Sequence, residues 1–272
     1  LNMKKIILRI ALVSTLAACG KVPLTGRRQM ELLPESTMRE MAATNYKQVI
    51  NEGPLSKNQK DLDRVKNVGL RISAAVENYM RNNGAANRVE GVKWEFNVID
   101  KAIVNAWCMP GGKVAVYTGI MPLCPDDFSL ATVLSHEIAH AIARHGNERM
   151  SQGLVVQTGE VALASAIANK PKETQNLFLQ AYGASAQLGV LLPYSRLHET
   201  EADKMGLIFM AIAGYEPGHA VDFWKRMAGI SNGSKPPEIL STHPSDETRI
   251  KNIQAFLPEA RKYMGTNGVI KK

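Results

Sequence analysis

"LSHEIAHAIARHG", residues 134–146, places two histidines four apart with a glutamate directly after the first. On an α-helix each residue advances about 100°, so His136 and His140 lie only about 40° apart around the axis and about 6 Å apart along it. Both imidazoles can then reach one ion. Glu137 points to the side, too far round for a third ligand but placed to hold and deprotonate a water. This is the HExxH arrangement of zinc hydrolases, with the glutamate as general base. Asp126 and Asp127 offer an N-cap and Gly146 a stop, so an active-site helix is predicted over 126–145. His145 lies about 140° round from His140 and is read as a cation complementing the C-terminal end of that helix.

The third ligand must come from a second segment, because the places three and six residues beyond His140 hold Ala143 and Gly146. "SRLHETEADKMG", residues 195–206, reads as a helix with Glu199 and Asp203 one turn apart on one face. Glu199 would reach the metal. Asp203 would accept a hydrogen bond from the free N–H of a ligating histidine and fix its tautomer. Glu201 points to the other side. A solvated acidic helix face is the alternative reading of this segment.

The remaining sequence sets the frame. At 272 residues the chain can bury a large core. Its formal charge is +8, yet Lys4, Lys5 and Arg9 lie in the first eighteen residues, and no Lys/Arg block is dense enough for nucleic acid, so none is expected as a partner. Residues 1–18 read as a signal peptide, since the apolar run from Ile6 to Leu16 is too short to span a bilayer stably. "LAAC" at 16–19 resembles a bacterial lipobox, which would make Cys19 the acylated first residue of a lipoprotein. An ordinary signal peptide with an incidental cysteine is the alternative. Residues 19–35 read as a tether, 36–262 as the catalytic domain and 263–272 as a flexible tail.

Within that domain, helical spacing covers 37–51 and 58–83, and strand patterns cover 92–99 and 111–119. Further helical patterns follow near 148–169, 173–190, 196–213, 218–229 and 246–257. The fold class is therefore α+β and mostly helical, with a small sheet whose edge strand is placed near 113–118. The apolar stretch 153–168 carries Glu160 mid-run and reads as a packed or amphipathic helix rather than a membrane span. Cys108 and Cys124 are either a disulfide, if the compartment is oxidising, or two small core residues.

"HEIAH" and "ETEAD" together resemble the zinc metallopeptidase family of the HtpX heat-shock proteases and CAAX prenyl proteases. The pattern is nearest to its soluble exported branch, which holds the β-barrel assembly-enhancing protease and LoiP. "NAWCMPGGKVAVYTG" (105–119), "ARHGNERM" (143–150) and "STHPSDETRI" (241–250) extend the resemblance. It implies a zincin-like domain with one Zn2+ per chain on His136, His140 and Glu199, Glu137 as base and Asp203 behind a ligand. His243, in "THP", would match a histidine that caps the zinc at rest, and Arg249 would support a site carboxylate or an oxyanion. Neither the branch's C-terminal repeat module nor the membrane spans of the heat-shock proteases are expected here.

The resulting expectation is a zinc metalloendopeptidase that clears unfolded or misassembled envelope proteins. It would be lipid-anchored at Cys19 to the periplasmic face of the bacterial outer membrane, with docking to outer-membrane assembly machinery implied by the same resemblance. Two other readings stay open: a catalytically silent, zinc-binding chaperone-like lipoprotein, and a zinc amidase of cell-wall material.

Overall fold

The computed structural model describes residues 19–169, 172, 175, 195–230, 239–240, 243, 247–266 and 268. Among them are strands β1 (Cys19–Lys21), β2 (Arg28–Met30), β3 (Glu95–Ile99), β4 (Ala106–Met109) and β5 (Lys113–Tyr117). The helices are α1 (Glu35–Glu52), α2 (Gln59–Asn82), α3 (Asp127–Ala143), α4 (His145–Ala166), α5 (Arg196–Ile212), α6 (His219–Ile230) and α7 (Glu247–Arg261). The protein is a mostly helical α+β, zincin-like fold. The chain divides into two compact units, residues 1–34 with 144–192, and residues 35–143 with 193–272.

In the smaller unit, the stretch expected as a tether forms a hairpin instead. β1 and β2 pair antiparallel, with Cys19 opposite Met30. Arg27 reaches Glu148 on α4 at 2.7 Å, and the Leu32 amide donates to Ser151 Oγ at 2.9 Å. These partners lie more than a hundred residues away in sequence, which is why local composition read as a linker. The apolar stretch 153–168 falls largely on α4, where Val155 and Val161 stay exposed. Among the described residues no helix is long and apolar enough to cross a membrane. The predicted helix over 173–190, residue 175 apart, and the signal peptide over 1–18 lie outside the described residues.

The larger unit is built on a three-stranded sheet in the order β3-β5-β4. β5 runs parallel to β3 and antiparallel to β4, so the strand expected at the edge is the central one. Both of its backbone edges are spent on ladders. The outer strands are β3, whose outer side is met by the 54–56 segment, and β4, a strand too short and mixed to announce itself by alternation. Tyr117 N–H donates to the Asn105 carbonyl at 3.1 Å. By antiparallel alternation, Trp107 and Met109 then pair with β5 while Ala106 and Cys108 turn their backbone groups outward. The Ala106 N–H is met by Asn105 Oδ1 at 2.9 Å.

Side-chain alternation divides the sheet faces. Tyr46 of α1 packs with Ile99 and Ala115, while Val114 and Val116 are fully buried on the opposite face. α2 is capped by Asn58, whose side chain accepts from Asp61 N, and buries Val65, Val68, Ile72 and Val76 at three-to-four spacing. Gly69 lets it press on β3, because a Cβ there would meet the Phe96 ring at 2.3 Å. Asp126 Oδ1 accepts from Ser129 N at 2.7 Å and starts α3, as expected.

α3 ends earlier than Gly146. Arg144 takes the left-handed conformation (φ 61°) and α4 begins at once, so Gly146 sits inside the next helix. His145 is fully buried rather than an exposed terminal cation. The segment expected as a flexible tail is partly held: Tyr263 packs on Tyr79, and Asn83 Nδ2 donates to the Gly268 carbonyl at 3.0 Å. Cys108 and Cys124 are free thiols and form no disulfide. Burial pushes both up, Cys124 to about 12, so both stay protonated.

Gly69→Ala is expected to lower stability by about 1–3 kcal/mol through overpacking against Phe96. The urea midpoint measures it, and an unchanged midpoint would mean that the ring swings aside freely.

Candidate active site

The site lies in the larger unit, where α3 and α5 pack face to face. Nearly every residue of α3 from Ser129 to Ala143 is buried. Close approach is possible because Gly206 has no side chain: a Cβ there would stand 3.2 Å from the His136 amide nitrogen and from Ser135 Oγ. Ser195 Oγ accepts from His198 N and starts α5 at the right place to turn Glu199 and Asp203 inward.

His136, His140, Glu199 and His243 converge, all buried, with one ligand atom from each within 4.8 Å of the others. His140 Nε2 is 3.1 Å from His136 Nε2. Glu199 lies 3.3 Å from His136 Nε2 through Oε2, and 3.3 Å from His140 Nε2 through Oε1. His243 Nδ1 is 3.3 Å from His136 Nε2 and 3.0 Å from Glu199 Oε1. Ligands at tetrahedral corners about 2.0–2.1 Å from one ion would stand about 3.3 Å apart. The donor spacing therefore fits a four-coordinate metal.

The chemistry of these atoms agrees. His136 Nε2 has two ring nitrogens and a carboxylate oxygen within 3.3 Å, more than one hydrogen can serve. Glu199 Oε2 is buried and accepts no hydrogen bond, although Arg249 Nη1 stands 3.1 Å away. Burial pulls the His136 imidazole down, but Asp203 and Glu199 more than reverse this and hold it at about 9. Burial pushes Glu199 up, and the surrounding His140, His136 and His243 outweigh it and bring it well below the usual carboxylate range. Such a cluster favours positive charge at its centre.

The other expected residues surround this group. His136 turns its second nitrogen, Nδ1, to Asp203 Oδ1 at 3.0 Å. Arg249 donates to both Asp203 oxygens, Nη2 to Oδ1 at 2.7 Å and Nε to Oδ2 at 2.8 Å. With Nη1 3.1 Å from Glu199 Oε2 as well, the guanidinium faces both carboxylates. Burial pushes Asp203 up, but Arg249 and His136 outweigh it and lower it. Glu137 is buried beside the ring of donors, with Oε1 3.7 Å from His243 Nε2. Burial raises its carboxyl, moderated by the nearby histidines. Glu201 is buried and outside the cluster, as its helix angle required.

Sequence reasoning missed Trp224, whose ring lies under Arg249 with Cζ 3.4 Å from the ring centroid. No spacing signal pointed to it. Cys19 is the first residue of β1.

A buried His-Glu-His triad on two packed helices, with a glutamate beside it, defines a metallopeptidase of the HExxH class. The chain belongs to peptidase family M48, whose pattern matches residues 69–257, and is a metalloendopeptidase. It is 34% identical over 241 residues to the mitochondrial metalloendopeptidase OMA1 of Schizosaccharomyces pombe, covering 88% of this chain and 67% of that protein. It is 35% identical to the Saccharomyces cerevisiae protein of that name, over 73% of this chain and 56% of the other. A putative β-barrel assembly-enhancing protease of Vibrio cholerae is 29% identical over 80% of this chain and 42% of its own length.

These comparisons correct the expected address. The broad matches at 34–35% identity are to mitochondrial proteases, whereas the bacterial assembly-enhancing proteases match more distantly, so the outer-membrane placement is withdrawn. The lipobox resemblance rests on four residues, too few to outweigh similarity along most of the chain.

Asp203→Asn should weaken metal binding about 10–100-fold, and Glu199→Ala should weaken it further. Chelator competition on purified protein measures both, and wild-type affinity in Glu199→Ala would remove α5 from the centre.

Proposed function

We propose that this protein is a zinc-dependent endopeptidase acting on unfolded or misassembled polypeptides, with Glu137 as general base and His243 as a resting cap. The observation that carries the reading is Glu199 closing on His136 and His140 at 3.3 Å from a helix sixty residues further along the chain. Nitrogen and carboxylate donors in four-coordinate spacing suit zinc over calcium or magnesium, which prefer more oxygen ligands. Bound there, zinc would lower the pKa of a water to about 7 and polarise the scissile carbonyl.

The chain's own residues supply the rest. Substrate backbone pairs with the outward groups of Ala106 and Cys108 on β4, a mode that reads little side-chain sequence and suits unfolded chains. Glu137 takes the proton of the attacking water and passes it to the leaving amine. Its burial, which raises its affinity for a proton, favours the first of these transfers. Asp203 keeps the His136 ring oriented, and Arg249 keeps Asp203 in place. His243 occupies the fourth corner, so it must withdraw before water and substrate enter.

Glu137→Gln is expected to keep its zinc while losing about 10²–10⁴-fold in cleavage of a casein-type substrate. His243→Ala is expected to raise cleavage above wild type with zinc retained. Silence in both wild type and His243→Ala, with zinc bound, would favour a non-catalytic binding protein instead.

A further inference from the structure

We propose that Trp224 is a positioning residue for the metal centre, acting through Arg249. The Arg249 side chain is 6% exposed, and its Nε, Nη1 and Nη2 all face carboxylates. In-plane contacts alone leave a guanidinium free to tilt about its long axis. The indole face beneath it, at 3.4 Å, fixes that plane. A cation over an indole away from water gains more than it would at the surface.

The fixed plane matters because Asp203 Oδ1 is shared. It accepts from Arg249 Nη2 at 2.7 Å and faces His136 Nδ1 at 3.0 Å. A tilt of the guanidinium would draw that oxygen away from the ring or leave Asp203 without its counter-charge. Either change loosens His136, whose Nε2 is one of the four converging donors. Trp224 also meets His136 directly, edge to face, with centroids 5.8 Å apart at 72°. The indole, buried on α6, thus contacts both the support and the ligand it supports. Ordinary core packing would need only its volume. Positioning needs an aromatic face.

This inference rests on the metal centre proposed above. The experiment compares zinc affinity, by chelator competition, in wild type, Trp224→Phe and Trp224→Leu, with circular dichroism to confirm folding. The expected result is a loss of about tenfold or more in Trp224→Leu and less than about threefold in Trp224→Phe, in line with changes behind a metal ligand. In an Arg249→Met background, the further loss from Trp224→Leu should shrink to what the direct contact with His136 contributes, since the path through the guanidinium is already broken. Equal losses in Phe and Leu, undiminished loss in the Arg249→Met background, or wild-type affinity in Trp224→Leu would each overturn it. Should Trp224→Leu not fold, Trp224→Met supplies a more adaptable side chain without a ring, and wild-type affinity in it overturns the proposal equally. Absence of zinc binding by wild type would overturn the centre itself and this inference with it.

Discussion

The constraint on which the structure turns is the burial of two carboxylates, Glu199 and Asp203, against two imidazoles of another helix. Taking charged groups out of water costs several kcal/mol each unless they are paired and hydrogen-bonded. Here every neighbour answers that cost. Arg249 meets both carboxylates, and His136 turns one nitrogen to Asp203 and the other toward Glu199. Gly206 allows the helices to come near enough for this to happen. Even a Cβ at that position would stand 3.2 Å from the His136 amide nitrogen, tighter than an ordinary contact just where the donors converge.

The helical row explains how much of the site was legible. His136, His140, Glu199 and Asp203 each follow from a four-residue spacing on one helix, and helix geometry is local enough to be read without knowing the fold. The relation between the two rows is not local: spacing offered 195–206 only as a candidate beside a solvated acidic face, and the resemblance favoured the ligand. Arg249 was visible only as a weak candidate, because its partner Asp203 lies 46 residues away. Trp224 was invisible, since an aromatic on an amphipathic helix looks like core. The errors have the same cause. β5 reads as a good strand but cannot reveal that β4 lies beside it, so its place at the centre of the sheet was mistaken for an edge. The hairpin of β1 and β2 is held by Glu148 and Ser151, which nothing near it in sequence announces. Arg144 ends α3 in a conformation usually left to glycine, which misdirected the stop to Gly146.

The correction of β5 to β4 also changes how a substrate would approach. Trp107 and Met109 spend their backbone on β5, so only Ala106 and Cys108 remain to pair with an incoming chain. Asn105 already satisfies the Ala106 amide. The open edge is thus two residues long, and the Cys108 side chain lies close enough to Glu137 for the carboxylate's charge to bear on its thiol. A short edge gives little affinity by itself. It suits extended chains presented at high local concentration better than folded partners bound by surface complementarity.

A short edge and a capped corner bear on each other. If His243 caps the metal as proposed, it and a substrate would compete for the same space, because its ring lies against both Glu199 and Glu137. Under the proposed cap, the apparent affinity for substrate is reduced by the fraction of molecules with His243 withdrawn. A cap favoured by about 2.7 kcal/mol would leave about 1% of molecules open. Weak backbone pairing at β4 could not by itself reverse such a balance. Something that binds the open form better would have to contribute, either a longer stretch of substrate or a partner acting on the segment that carries His243. Low basal turnover and strong dependence on the state of the substrate would then have a single physical origin.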